Sequence, residues 1–145
     1  PLLGVEVRNQ NEILYLLISK SHSGFASINA FLSEYLLQHQ PFPILAPQLT
    51  DVDCIYPFFK VEGLRPKDIP QHAYIGVSQP DLRKLRSSPW KNANKRLLAY
   101  QRATLRNIDD LHTHTLLRCI DQNCLITKLK PHQTAFKSDL FTPRY

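Results

Sequence analysis

Residues 13–18, Ile-Leu-Tyr-Leu-Leu-Ile, form an unbroken apolar run. It is far too short to cross a bilayer, which takes about 20 residues of helix, and with no charged-then-apolar leader ahead of it the chain reads as soluble. A half-buried strand alternates polar and apolar residues. This run does not, so it predicts a strand covered on both faces, in the middle of a sheet. Just before it, Leu3, Val5 and Val7 do alternate with polar neighbours, and Asn9-Gln10-Asn11 offers turn chemistry. The chain is therefore expected to open with a β-hairpin.

Beyond the hairpin, Phe25, Ile28, Leu32, Tyr35 and Leu36 recur at helical spacing and predict a packing helix ending near Gln38. Pro41, Pro43 and Pro47 make residues 40–47 an extended connector. Residues 54–62 are aromatic and β-branched enough for a strand, with Pro57 moving part of it to an edge or a bulge. A loop over 63–72 leads to a short strand at 73–78, and Gln79-Pro80-Asp81 begins a helical turn. Ser88 before Pro89 reads as an N-cap with proline at the first helical position, which predicts a helix over about 89–108. Residues 113–120 and 125–130 are strand-like around Asp121-Gln122-Asn123, a second hairpin, and from about 131 the chain is irregular.

With the first and last strands set aside, the order is β-α-β-β-α-β. That is the order of an α+β, ferredoxin-like (split βαβ) antiparallel sheet with its helices on one face, here carrying an extra N-terminal strand and an extra C-terminal strand. A chain of 145 residues, 43% of them hydrophobic, is expected to form a single domain over 1–145.

Charge is spread unevenly. Residues 1–62 hold three Lys/Arg against six Asp/Glu, and residues 63–145 hold fifteen against six, so the two parts carry −3 and +9. Within the second part, residues 83–108 contain eight cations, Arg83, Lys84, Arg86, Lys91, Lys95, Arg96, Arg102 and Arg106, and no acid. On the expected helix, Trp90, Ala93, Leu97, Gln101, Thr104, Leu105 and Ile108 share an amphipathic face, which makes Trp90 a core residue. Lys91, Lys95, Arg102 and Arg106 fall in one arc on the exposed side, with Arg83, Lys84 and Arg86 extending it. Like charges four residues apart weaken a helix, and an outside polyanion would offset that cost. The reading is a nucleic-acid-binding domain, for DNA or RNA, that contacts phosphates through this basic helix. Gln101 and Thr104 on the apolar face argue against a membrane-surface helix. An acidic protein partner, or a larger parent complex, would suit the same charge.

A nuclease is the second reading. An imidazole beside the cations can deprotonate a ribose 2′-OH without a metal, and His112, His114 and His132 stand in the right part of the chain. His112-Thr113-His114 resembles the two-histidine strand of the HUH endonucleases, a likeness that implies a tyrosine nucleophile, for which Tyr100 is the candidate, and nicking of single-stranded DNA. Ile55-Tyr56 and Tyr74-Ile75-Gly76, followed by Arg83, resemble the start of a GIY-YIG nuclease, which implies two tyrosines and an arginine around an attacking water; Cys54 stands where that motif has glycine. Pro1 with the residues after it is similar to the start of the tautomerase superfamily, where the free proline amine is a base.

No metal site and no cofactor are expected. On a strand Cys119 differs in parity from both histidines, and the four glycines stand alone, without a phosphate-cradling loop. Asp51 and Asp53 read as solvated loop carboxylates. Three cysteines without a CxxC suit a reducing compartment, the cytoplasm or nucleus.

Overall fold

The N-terminal hairpin forms where the alternation places it. In the computed structural model, which describes residues 3–10, 12–101, 103–130, 133–135 and 139–140, strand β1 (Gly4–Asn9) pairs antiparallel with β2 (Glu12–Ser19). Next to β2 lies β3 (Val52–Pro57), antiparallel to it, and β4 (Ala73–Val77) and β5 (Leu97–Ala99) follow in parallel. The five-stranded sheet thus runs in sequence order, β1-β2-β3-β4-β5, and β2 alone is antiparallel to the rest. The apolar run sits between two partners, as its composition requires.

The molecule is α+β, but its mixed sheet, in sequential order with two parallel pairs, is not the antiparallel arrangement expected of a ferredoxin-like fold. Pro57 does not send its strand to an edge either. It occupies the last position of the central strand, where a missing N–H costs little.

One face of the sheet carries the core. The register aligns Leu17 with Cys54 and Ala73, and Tyr56 with Ile75 and Leu97. Helix α1 (His22–Leu37) covers these residues with Ile28 and Phe31, and the short helix α2 (Phe58–Val61) adds Phe58 and Val61. Residues 40–47 form the extended connector their prolines predict. Asn9 holds it in place, donating to Phe42 O at 2.9 Å and accepting from Phe42 N–H at 2.8 Å, and the Phe42 ring packs on Phe31 and Tyr35.

The start of α1 is locked to the turn before β3. Ser21 Oγ caps the helix by accepting from Gly24 N–H, while the Ser21 and Ser23 hydroxyls donate to Asp51 at 2.8 and 2.6 Å. Those hydroxyls, Ser23 first, hold the Asp51 carboxyl below the usual range. Asp53 belongs to β3 and pairs with Lys20, so neither carboxylate is simply a solvated loop group. A Cβ on Gly24 would fall 2.2 Å from the Asp51 carbonyl oxygen. Gly24→Ala is therefore expected to lower stability by about 1–3 kcal/mol, although alanine is the better helix former. An unchanged urea midpoint would show that the 51 turn does not seat on α1.

The chain divides into two compact units, residues 1–100 and 101–145. The second is built on helix α4 (Asp109–Asp121). This is the segment expected to begin the second hairpin, and local capping explains the difference. Asn107 Oδ1 accepts from Asp110 N–H, and Asp109 and Asp110 place negative charge in the first turn, which outweighs the strand preference of Thr113 and Thr115. Residues 125–130 hold a 3-10 turn, Ile126–Lys128, in place of a strand. Among the described residues no helix is long and apolar enough to cross a membrane.

Candidate nucleic-acid interface

The basic segment is the crossover from β4 to β5 and is not one helix. A Ser78–Asp81 capping box, in which Asp81 accepts from Ser78 N–H at 3.1 Å and from its hydroxyl, starts a 3-10 turn that leads into helix α3 (Leu82–Ser87). The chain then passes through turns to a second 3-10 turn, Asn94–Arg96, and into β5.

The expected helix over 89–108 loses to tertiary contacts. Ser88 Oγ does accept from Trp90 N–H, at 3.2 Å, as a cap would. Trp90, however, is wholly buried, its indole N–H donating to Val61 O at 3.0 Å. Leu97 to Ala99 then satisfy their backbone groups on β4. Asn92 and Asn94 are weak helix formers, and the cations repel one another at helical spacing, so little local free energy opposes the extended course.

Arg96 is not a surface cation. Its guanidinium donates to Ala73 O at 3.0 Å, Pro66 O at 2.9 Å and Pro70 O at 2.7 Å, and lies 5.2 Å from the centre of the Trp90 ring. Burial draws its pKa below the usual arginine value. This fork holds the start of β4, the preceding loop and the crossover together, a role that a planar group with five donors fits and an ammonium does not.

The remaining predicted cations divide by partner. Lys84 pairs with Glu62 at 3.0 Å. Arg106 belongs to the second unit and pairs with Asp110, which raises its pKa and lowers that of the acid. Arg102 lies outside the described residues. Arg83, Arg86, Lys91 and Lys95 are exposed and make no ion pair among the described residues. Arg83 and Arg86, three apart on α3, share one side of it.

Within each unit, the described nuclease candidates do not take the local arrangement that their motifs imply. His112 and His114 are on α4, where residues two apart are about 200° apart around the axis, so they do not share a face as they would on a strand. His112 is exposed, and His114 Nδ1 accepts from Ala135 N–H at 3.3 Å, holding residues 134–135 to the helix. His132 and Pro1 lie outside the described residues. Tyr100 is on no helix; it follows β5 and packs over Gly76, its hydroxyl buried. Tyr74 pairs with Ile55 across the sheet, so it faces away from Tyr56, which points into the core against Tyr15 with its hydroxyl on Ala46 N–H at 2.6 Å. The two tyrosines thus cannot surround one water as in a GIY-YIG site. Among the described residues no three His, Cys, Asp or Glu side chains converge as metal ligands would.

Sequence reasoning missed the anchoring role of Arg96. The Asn-Ala-Asn at 92–94, a weak stretch in the middle of the supposed helix, was the available signal. Comparison of the chain with protein-family models, curated proteins and solved structures finds no match.

Proposed function

We propose that the chain binds nucleic acid through the β4–β5 crossover, with Arg83, Arg86, Lys91 and Lys95 contacting phosphates. One observation carries this reading: four exposed cations, without ion pairs among the described residues, project from a thirteen-residue stretch that has no acid, while Trp90 bonds that stretch to α2 and Arg96 bonds it to the start of β4 and the loop before it. A solvated surface normally mixes both signs, and a patch of one sign on a rigid element attracts a polyanion. The contacts would fix position on the backbone and carry no sequence information.

The test is binding to short single- and double-stranded DNA and RNA across a salt series, beside an Arg83/Arg86/Lys91/Lys95→Gln variant. Four phosphate contacts predict a log–log slope of roughly −3 to −4, largely lost in the variant. Because all four residues are exposed, the variant should unfold at the same denaturant concentration as the parent, within about 0.5 kcal/mol. Equal slopes in the two proteins would refute the reading and turn attention to an acidic protein partner.

A further inference from the structure

Helix α4 ends in a way that joins two of the chain's cysteines. Asn123 turns the backbone with a positive φ of 46°, a conformation that asparagine adopts more readily than most residues. The turn sends Asn123 N–H back to Ile120 O at 3.1 Å and Cys124 N–H back to Cys119 O at 3.0 Å. This pair of bonds is the left-handed closure that commonly ends a helix, and the two side chains it brings face to face, here those of residues 119 and 124, frequently meet in an apolar contact. In this chain both positions are cysteine.

The two sulfurs differ in access. Cys119 is 8% exposed and Cys124 is half-buried, and both are free thiols. Burial pushes the Cys119 thiol up, and the Cys124 thiol acts on it in the same direction through charge and a hydrogen bond. The main-chain bond between the two residues keeps their Cα atoms within roughly the 7 Å beyond which no disulfide closes. Cys54, in β3, is the contrast. It is 1% exposed, and burial pushes its thiol up to about 12. A thiol kept protonated and away from solvent is inert.

We propose that Cys119 and Cys124 form a thiol–disulfide exchange site, which a small organic disulfide, RSSR, oxidises to a bridge across the end of α4. The accessible Cys124 gives its proton to solvent and attacks one sulfur of RSSR. The S–S bond of RSSR breaks, and the first RS⁻ leaves and takes up a proton. Cys119 then gives its proton to solvent and attacks Cys124 Sγ, which breaks the mixed disulfide and releases the second RS⁻, protonated in turn. The chain loses two electrons and two protons, and RSSR becomes two RSH. The inference does not depend on the nucleic-acid reading, since it uses none of the crossover residues.

Equilibration of the full chain with graded ratios of oxidised to reduced glutathione, followed by acid quenching, alkylation and peptide mass mapping, tests it. The expected product is a monomer lighter by two hydrogen atoms, with Cys119 and Cys124 lost to alkylation and Cys54 still alkylated. Cys119→Ser should stop at a glutathione adduct on Cys124. Asn123→Val, a β-branched residue unsuited to positive φ, should lower the equilibrium constant for oxidation about tenfold, while Asn123→Gly should keep it, with circular dichroism confirming equal helix content. A parent in which both thiols stay alkylatable at the highest ratio overturns the inference, as does one that stops at the glutathione adduct or bridges between chains. Asn123→Val oxidising as readily as the parent would show that the helix end does not set the two thiols together, and overturns it too.

Discussion

Replacing Trp90 by alanine is expected to destabilise the first unit by about 3–5 kcal/mol, the range for truncating a fully buried large aromatic. The indole is 0% exposed and sits in the cluster that joins Phe58 and Val61 of α2 to Ile75 of β4. The loss has two components. Trp90→Phe keeps most of the ring volume but leaves Val61 O without its donor, and should cost about 1–3 kcal/mol. Urea unfolding followed by circular dichroism separates the two variants. Trp90 is also the chain's single tryptophan, so its emission reports on its surroundings. It should be insensitive to iodide and should stay unchanged as nucleic acid is added. Quenching by a bound strand would mean that the indole stacks on bases and does not belong to the core.

Arg96→Ala is expected to cost about 3 kcal/mol, because it takes the guanidinium from three backbone carbonyls at once, of which Pro70 O alone is seen to keep a further donor, Ala73 N–H. Arg96→Lys should recover only part of this, since one ammonium cannot serve carbonyls at residues 66, 70 and 73 in the geometry of a planar fork. Lys95→Ala, one residue away and exposed, should leave stability within about 0.5 kcal/mol. The contrast bears on function. Any loss of nucleic-acid binding in Arg96→Ala should track loss of folded protein, whereas in Lys95→Ala it should appear as a shallower salt dependence with the fold intact. If Arg96→Ala folds like the parent and fails only in binding, the guanidinium is a phosphate ligand and its carbonyl contacts are incidental.

The same residue shows how far local pattern reaches. In sequence, Arg96 is one cation among eight, indistinguishable from Lys95, because charge density along a chain says nothing of which charges fold inward. Helix periodicity in residues 89–108 was equally misleading. Stepping Trp90, Ala93 and Leu97 around a wheel aligns them, yet Trp90 is buried against α2 while Leu97 pairs with Ile75 on β4. Two anchors distant in sequence explain an apolar spacing that a helix would also explain. The histidines failed in the opposite direction. Thr113 and Thr115 suggested a strand, where His112 and His114 would share a face, but the Asn107 cap and the acids after it set a helix that separates them.

What the chain determined by itself is the part carried by uninterrupted local signals: an interior strand at Ile13–Ile18, a hairpin that pairs it with the strand before it, the packing helix after it, a proline-held connector, and a cationic excess in the second part. Tertiary structure alone decided the rest: that the sheet is mixed and sequential, that the basic segment crosses from β4 to β5, and that Arg96 turns inward while Arg83, Arg86, Lys91 and Lys95 stay exposed. The reason is physical. Apolar periodicity and proline act within a few residues, so they are written in sequence, whereas strand pairing and a guanidinium's choice of carbonyls are settled by groups 20 to 30 residues away.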